Sequence, residues 1–214
     1  MPIPVKPRRY DSTARLARAQ ERREVVLDAA LARFLRDGFA ATTVAALADD
    51  AGVSTELIYK SFGGKAGLVR ALRTRALEGD HAEPAEQRAD RLRDEQDAEA
   101  ILRGWAHLAT EVAPRVTPVL LLVRDAATTD ATVRGLQAEL DADRFRRMTS
   151  NATALHRGGH LRAGVGVRTA ADLMFAVSSP EMYELLVLRR QWSLRRYEAY
   201  VFETLRAGLL PGRA

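Results

Sequence analysis

The 214-residue chain contains no cysteine. It therefore has no disulfide framework, no thiol nucleophile and no thiolate metal site, which fits a protein of the reducing cytoplasm. Long apolar runs are also missing, since the longest notable one, residues 119–123, is far too short to cross a bilayer and is closed by Arg124 and Asp125. Residues 1–10 lack the apolar segment of a signal peptide. We expect a soluble, cytoplasmic protein that has no membrane partner.

The motifs of common enzyme classes are missing as well. The sequence has neither H-E-x-x-H nor G-x-S-x-G, and no region alternates in the manner of a β-strand. The glycines within residues 158–166 lack the strand and the trailing Lys-Ser/Thr of a phosphate loop, so we interpret them as a helix connection. His156 and His160 have the spacing of two metal ligands, but Gly158 and Gly159 should break that helix, and two surface histidines are the alternative. The sequence predicts no enzyme, no metal site and no cofactor.

Positive charge is concentrated in the N-terminal third. The chain has a net formal charge of +5, and residues 1–75 alone carry 14 basic and 8 acidic side chains. Such an excess supplies the attraction to phosphate, irrespective of base sequence, that a domain binding double-stranded DNA needs, and it predicts a steep salt dependence of such binding. Within the proline-rich start of the chain, Lys6, Arg8 and Arg9 form either an arm that reaches a minor groove or a solvated tail.

Residues 42–68 have the pattern of two short helices separated by a glycine turn. Thr43 precedes the first helix, Ser54 is a good N-cap for the second, and between them Gly52 stands where a backbone of positive φ ends a helix. Val53 turns inward as the hydrophobic plug of the bend. The residues with helical apolar spacing are Val44, Leu47, Ala48, Ala51, Leu57, Ile58 and Phe62. This pattern predicts a helix-turn-helix.

In a DNA-binding helix-turn-helix, the second helix enters the major groove and its N-terminal residues reach the base edges. The polar side of the predicted second helix carries Thr55, Glu56 and Lys60, of which Thr55 and Glu56 are the base-reading candidates. A glycine turn between two amphipathic helices also occurs in plain helical bundles. The excess of basic residues favours the DNA-binding interpretation.

Several residues in this stretch match a known pattern, and they are Thr42-Thr43-Val44, Leu47-Ala48, Ala51-Gly52-Val53-Ser54, Ile58-Tyr59, Phe62, Lys65 and Leu68. With these residues the chain resembles the N-terminal domain of the TetR family of bacterial transcriptional regulators, over about residues 20–75. The resemblance implies that Thr43 and Ser54 hold phosphates and that Thr55, Glu56 and Lys60 face bases. It also implies that Tyr59 and Lys65 grip the DNA backbone.

Two positions depart from the common family pattern. Gly67 stands where an acidic residue often follows the lysine, and Glu56 stands where a small residue is frequent. A carboxylate in the groove accepts a hydrogen bond from cytosine N4 but is repelled by nearby phosphates. Glu56 therefore either selects a C·G pair or lies along the helix surface.

The predicted architecture is all-α in three parts. Residues 1–14 are predicted to form a basic, flexible arm. Residues 15–78 form a three-helix DNA-binding domain, in which a further helix runs from Gly64 to about Leu77. Residues 79–214 form a helical ligand-binding and dimerisation domain. The glycine, proline and mixed charges of residues 79–94 indicate a loop at the boundary.

Helical periodicity continues through the second domain. One helix is predicted to stop before Pro114 and another to begin near Pro118, because proline disrupts a helix interior. The apolar residues 119–123 are expected at the centre of this domain. A long helix should follow over residues 132–157, and Ser179 and Ser193 should cap two C-terminal helices.

Large side chains in the second domain are candidates for a pocket that binds a small-molecule effector. They are Trp105, Leu122, Phe145, Met148, Met174 and Phe175. Ordinary core packing is the alternative, since aromatic and methionine side chains at helical spacing usually fill a core.

Residues 179–201 also resemble the C-terminal region of many TetR-family members, in which the last helices of two subunits form a four-helix dimer interface. The resemblance implies a homodimer. The apolar stripes that would form the interface are Met182, Leu185, Leu186, Tyr197, Val201 and Leu205. Alternatively, these side chains close the core of a monomer. One helix-turn-helix per monomer rarely gives useful operator affinity, which favours the dimer.

The sequence as a whole predicts a homodimeric transcriptional regulator. The resemblance implies a repressor that binds a near-palindromic operator and is released by a small molecule. The alternatives are an activator, or an all-helical binding protein without ligand-released repression.

Overall fold

The computed structural model describes residues 12–79 and 81–212, and every regular element in those ranges is helical. The α-helices are α1 (Ser12–Asp37), α2 (Val44–Ala51), α3 (Thr55–Phe62), α4 (Lys65–Glu78), α5 (Ala85–Arg91), α6 (Ala98–Ala127), α7 (Ala131–Arg157), α8 (Val167–Val177), α9 (Pro180–Tyr183) and α10 (Leu194–Leu209). A 3₁₀ turn, Leu92–Asp94, extends α5, and a π-helical segment, Glu184–Arg189, extends α9. The predicted all-α fold is confirmed.

Helices α1 to α4 surround an apolar core in the N-terminal domain. The side chains that form its centre are Val26, Leu27, Ala30, Phe34, Leu47, Ile58, Leu68, Val69 and Leu72, all 2 % exposed or less. They recur at spacings of three and four along their helices, which places them on one face of each helix. For α2 and α3, the apolar faces predicted from this spacing are the faces that pack in the core.

The N-terminal core also takes residues from two helices of the C-terminal domain. Val119 and Val123 of α6, and Leu136 and Leu140 of α7, are buried in the same cluster as α1 to α4. The expectation that residues 119–123 occupy the centre of the second domain is wrong. α6 has 30 residues and is about 45 Å long, so its C-terminal half reaches beyond that domain and packs on α1 and α4.

The two prolines that should have divided α6 lie inside one continuous helix. Pro114 and Pro118 each remove one amide donor from the helical hydrogen-bond ladder. The carbonyl of Pro114 would normally accept a hydrogen bond from the amide of residue 118, which proline lacks. Because Pro114 is exposed, this carbonyl can bond to water instead. Twelve buried residues of α6 pack on other helices, and this burial outweighs the local preference to end the helix.

The predicted boundary loop contains a helix. Ala85 and Ala89 of α5 are buried beside α6, and Ala89 accepts a hydrogen bond from Trp105 Nε1 at 3.1 Å. Two alanines four residues apart give too small an apolar face to stand out among the charged neighbours, so the sequence pattern indicates a loop instead of this helix.

The C-terminal helix starts agree with their predicted caps. Ser179 accepts a hydrogen bond from the Met182 amide, and Ser193 accepts one from the Arg196 amide, each at 3.2 Å. The N-cap hydroxyl in each case satisfies an amide that has no partner within the helix.

α6 is long and apolar enough to cross a membrane by length and composition alone. Its side chains belong to both apolar cores, and it packs on α4, α7 and α10. We interpret it as the central helix of a folded protein.

Gly67 is fixed by the close approach of α4 to the end of α3. A β-carbon at this position would overlap the carbonyl group of Phe62. We expect Gly67→Ala to lower the free energy of unfolding by about 1 to 3 kcal/mol, although alanine is the better helix former. Gly135→Ala in α7 is the matched control, because a β-carbon there meets open space, and it should stabilise by about 0.5 to 1 kcal/mol. Urea unfolding at one protein concentration measures both. A Gly67→Ala variant as stable as the wild type would contradict the close approach.

Candidate DNA-binding surface and ligand cavity

The turn between α2 and α3 is built as the sequence predicts. Gly52 has a φ of 63°, in the left-handed region that glycine adopts without strain, and its amide bonds to the carbonyl of Asp49. The Val53 amide then donates to the Ala48 carbonyl at 2.9 Å, and the Val53 side chain packs against the N-terminal core. These contacts fix the bend between the two helices.

Six of the seven residues predicted to bind DNA are exposed to solvent. They are Thr43, Ser54, Thr55, Glu56, Tyr59 and Lys60. Ile58, on the opposite side of α3, is fully buried and anchors the helix to the N-terminal core. α3 is thus amphipathic and presents a polar face outward.

Two of these residues are also helix caps. The Thr43 hydroxyl accepts a hydrogen bond from the Ala46 amide at 3.1 Å, and the Ser54 hydroxyl accepts one from the Leu57 amide at 3.2 Å. A hydroxyl that accepts through its oxygen still has its own proton to donate. Both residues can therefore donate to a phosphate oxygen at a helix N-terminus, where the exposed amides and the helix dipole favour anions.

Tyr59 lies beside the turn that joins α3 to α4. The side chain is 58 % exposed, and a β-carbon on Gly64 would lie only 3.3 Å from Tyr59 Cε1. Gly64 also has a φ of 94°, which disfavours other residues. The turn thus supports the tyrosine ring at the edge of the exposed face.

Lys65 differs from the other six because its side chain is half-buried and contacts a distant part of the N-terminal domain. Its Nζ donates to the Phe39 carbonyl at 2.7 Å and lies 4.4 Å from the centre of the Phe39 ring. Burial lowers the pKa of the Lys65 ammonium. An ammonium has three protons, so the bond to Phe39 leaves others that could reach a phosphate.

Glu56 occupies the first turn of α3, where a carboxylate interacts favourably with the helix dipole. It is exposed, and this position agrees equally with a cytosine contact and with a residue that lies on the helix surface. The two alternatives for Glu56 therefore remain open.

An ion pair holds the motif against α1. Arg33 donates to both oxygens of Asp50, with the Nη2 to Oδ1 distance at 2.8 Å, and it holds the pKa of that carboxyl below its usual value. The pair links the C-terminal part of α1 to the end of α2. The proposed arm residues Lys6, Arg8 and Arg9 lie outside the described residues.

A cavity of about 180 Å³ lies between α4 and the helices of the C-terminal domain, and most of its wall is apolar. Three of the predicted pocket residues, Trp105, Met148 and Met174, line it. They come from α6, α7 and α8, so three helices that are distant in sequence meet at this point.

The other three predicted pocket residues lie elsewhere. Leu122 packs at the edge of the N-terminal core, because the C-terminal half of α6 has left the second domain. The rings of Phe145 and Phe175 contact each other edge to face, with centroids 5.5 Å apart. None of these three lines the cavity.

The cavity wall also contains arginines that the sequence analysis did not select. Arg73, Arg144 and Arg147 line it together with Glu86. The sequence does carry a signal, since Arg144 precedes Met148 by four residues and so shares its face of α7.

Half of the predicted interface residues are used inside the monomer. Tyr197, Val201 and Leu205 are at most 4 % exposed, and the last two line the cavity. They cannot form the surface of an interface, because their side chains already pack in the core of this subunit. For these three residues the monomer-core alternative is the correct one.

The remaining predicted interface residues lie closer to the surface. Met182 and Leu186 are half-buried, and Leu185 is 48 % exposed. Leu188 and Leu194, which the sequence analysis missed, are 52 % and 42 % exposed nearby in the chain. The spacing of three between Leu185 and Leu188 was a signal for a shared face.

The two histidines do not share a helical face. α7 ends at Arg157 with Gly158 as its cap, so His156 is inside the helix and His160 is beyond it. In the described part of the chain, no group of three His, Cys, Asp or Glu residues is arranged to hold a metal ion.

Comparison with known families identifies the domain that carries the helix-turn-helix. Residues 26–72 match the model of the bacterial regulatory proteins of the tetR family, and this match contains α2, α3 and the turn between them. The chain carries a TetR-family DNA-binding domain. No curated protein matches the sequence significantly.

Solved structures with the same fold extend over nearly the whole chain. SmeT in complex with triclosan is 22 % identical, with a TM-score of 0.70 over 90 % of this chain and 93 % of that chain. NalD of Pseudomonas aeruginosa is 19 % identical, with a TM-score of 0.67 over 91 % and 98 %. The regulator FadR of Bacillus halodurans is 17 % identical, with a TM-score of 0.66 over 87 % and 95 %. At these identities the likeness establishes a TetR-like fold for both domains.

The placement of Lys65 predicts a role in stability as well as in DNA binding. Lys65→Met removes the donor to the Phe39 carbonyl and should lower the free energy of unfolding by about 1 to 3 kcal/mol. Lys60→Met, on the exposed face of α3, should change it by less than about 0.5 kcal/mol. Urea unfolding at pH 7 provides the measurement. Equal midpoints for the two variants would show that the bond to Phe39 contributes nothing to folding.

Proposed function

We propose that this protein is a homodimeric transcriptional repressor that binds a two-fold symmetric operator and releases it when a small molecule occupies the cavity. The observation that carries this proposal is that α6 and α7 pack in the N-terminal core at one end and line the cavity at the other. A molecule in the cavity therefore contacts helices that also support the DNA-binding domain.

DNA binding rests on the exposed face of α3 and the helix ends beside it. α3 lies in the major groove, where Thr55, Glu56 and Lys60 face the bases. The residues assigned to phosphates are Thr43, Ser54, Tyr59 and Lys65. The net charge of +6 carried by residues 1–75 supplies the attraction to the duplex that is independent of sequence.

A dimer is proposed because one helix-turn-helix gives too few base contacts for a specific operator. The apolar side chains exposed near the C-terminus, Leu185, Leu188 and Leu194, are available for a second copy of the chain. Two of them, Leu185 and Leu188, belong to the same short π-helical segment, so a second copy that covers this segment would remove both from water.

Repression is supported by the structural relatives. NalD is described as the secondary repressor of the MexAB-OprM multidrug efflux pump, and SmeT as the repressor of the Stenotrophomonas maltophilia pump SmeDEF. We assign the same direction of control to this chain, acting in the cytoplasm without a cofactor or catalytic step.

Release requires that the ligand prefer the dimer that does not fit the operator. A hundredfold loss of DNA affinity corresponds to about 2.7 kcal/mol of coupling, within the usual range for allostery. Arg73 and Leu77 of α4 line the cavity, and α4 begins directly after the turn that supports Tyr59. α4 is thus the element through which the cavity and the DNA surface influence each other.

The dimer predicts the geometry of the operator. Two copies of α3 on one face of the duplex should protect two half-sites whose centres are about one helical turn apart, about 34 to 36 Å. Footprinting on the DNA upstream of the gene tests this expectation. A single unsymmetrical half-site would contradict it.

Base reading and phosphate binding predict different mutant effects. Tyr59→Phe should weaken binding to all sequences alike, whereas Glu56→Ala should relax the preference at one base pair by about 1 to 3 kcal/mol if the carboxylate reads a cytosine. Glu21→Ala is the control, because it removes the same negative charge from an exposed position on α1. Selection from random sequences measures the preference. If Glu56→Ala selects the same sites as Glu21→Ala, Glu56 lies on the helix surface without reading a base.

Two arginines of α4 allow the coupling to be tested with matched variants. Arg73 lines the cavity and lies 3.6 Å from Asp143, whereas Arg70 pairs with Glu139 at 2.6 Å away from the cavity. Compounds that raise the melting temperature in a screen are measured for their effect on operator affinity. We expect Arg73→Met to reduce the release by such a compound and Arg70→Met to preserve it.

Linkage makes this experiment two-sided. If a compound weakens operator binding by a given factor, operator DNA must weaken binding of the compound by the same factor. Compounds that bind the cavity yet leave operator affinity unchanged would refute ligand-released repression.

A further inference from the structure

The geometry points to a specific ligand class for the cavity: a small apolar molecule, about one or two rings in size, with one carboxylate that Arg144 binds. This inference rests on the proposed function in taking the cavity as the effector site. It goes further by naming the chemistry of the effector and the residue that selects it.

Arg144 differs from the other arginines of the cavity in its partners. Arg147 is paired with Glu86 at 3.2 Å and with Asp90 at 2.7 Å, and Arg73 lies 3.6 Å from Asp143. Within residues 12–79 and 81–212, Arg144 has no carboxylate oxygen within 4 Å. Among the three arginines of the cavity wall, Arg144 is thus the one without an ion pair in the described residues.

The contacts that Arg144 does make are with neutral groups. Its Nη1 donates to the Phe175 carbonyl at 2.6 Å, and its Cζ lies 3.5 Å from the centre of the Phe175 ring. The Nε proton is buried and has no partner in the described part of the chain. These contacts hold the guanidinium plane in place but leave donors unused.

Burial affects the charge of Arg144 without removing it. Desolvation lowers the pKa of the guanidinium to about 10, against weaker opposing effects of Asp141 and Glu181. Arg144 therefore remains protonated at pH 7. A largely desolvated cation with no carboxylate in contact is unfavourable, and an anionic ligand in the cavity would relieve this penalty.

The remainder of the cavity sets the size and polarity of the molecule. Trp105, Met148, Met174 and Val201 are among its apolar wall residues. An apolar protein cavity of about 150 Å³ accommodates benzene, so the 180 Å³ found here suits a molecule somewhat larger. Phosphate monoesters of nucleosides and other strongly polar ligands do not match such a wall.

A carboxylate fits these conditions better than other charged groups. The guanidinium is planar and presents two parallel donors that match the two oxygens of a carboxylate. A cationic ligand would add to the positive charge already present, and a neutral ligand would leave Arg144 without an anion.

Three probes with the same ring system separate these possibilities: 1-naphthoate, 1-naphthamide and 1-naphthylmethylammonium. Their dissociation constants for the full-length protein at pH 7 are measured by calorimetry. We expect 1-naphthoate to bind about 10 to 100 times more tightly than 1-naphthamide, because hydrogen bonds to charged groups contribute more than neutral ones. The ammonium probe should bind most weakly.

Two substitutions on α7 assign the preference to Arg144. Arg144→Met should remove the higher affinity for 1-naphthoate over 1-naphthamide. Arg157→Met should keep it, because this substitution removes the same charge from an exposed position that does not line the cavity. Arg144→Lys keeps the charge without the planar fork and should give an intermediate preference. Melting temperatures show whether each variant is folded.

The wild-type series decides the inference even if an Arg144 variant does not fold. Binding of 1-naphthamide as tight as 1-naphthoate, or no binding by any of the three, would overturn it. An equal loss for both probes in Arg144→Met would assign Arg144 a packing role and also overturn it.

The result can be separated from that of the proposed function by adding an operator-binding assay. If 1-naphthoate binds through Arg144 but does not change operator affinity, the ligand class is correct and ligand-released repression is wrong. If a neutral compound releases the operator and 1-naphthoate does not bind, the regulator is correct and the ligand class is wrong.

Discussion

The structure depends on the burial of α6 in two apolar cores at once. Its N-terminal half places Trp105 and Leu108 in the C-terminal core, and its C-terminal half places Val119 and Val123 in the N-terminal core. Because both cores pack on one continuous helix, a shift of the α6 residues in one core is passed along the helix to the residues in the other. The DNA-binding surface and the cavity are therefore linked by packing, even though the boundary predicted from sequence near residue 79 divides them.

The parts of the fold that could be predicted from sequence are those decided by neighbouring residues. The N-caps at Thr43 and Ser54, and the left-handed turn at Gly52, involve contacts across only a few positions, and all three are observed. The continuation of α6 through Pro114 and Pro118 could not be predicted in this way. It is decided by side chains far away in the sequence that bury the helix on both sides of the prolines.

In the candidate sites too, neighbouring residues determine what can be predicted from sequence, and residues distant in sequence determine the rest. An apolar stripe on α10 reveals that one face of that helix is covered, but not whether the cover comes from the same subunit or from another. Tyr197, Val201 and Leu205 are covered from within, and only the surrounding helices determine this. Arg144 was missed for a related reason, because a charged residue on a helix usually faces water, and only the three-dimensional structure shows it at the wall of an apolar cavity.

The prolines of α6 have a mechanical consequence. Pro114 and Pro118 lie close to the point where α6 passes from the C-terminal core, which includes Val112 and Ala113, into the N-terminal core, which includes Val119 and Val123. Each lacks the amide that would tie its turn to the preceding one, so this stretch of the helix resists bending less than an uninterrupted helix would. A bend of a few degrees there is amplified along the remaining nine residues, up to Ala127, into a lateral displacement beneath the DNA-binding domain.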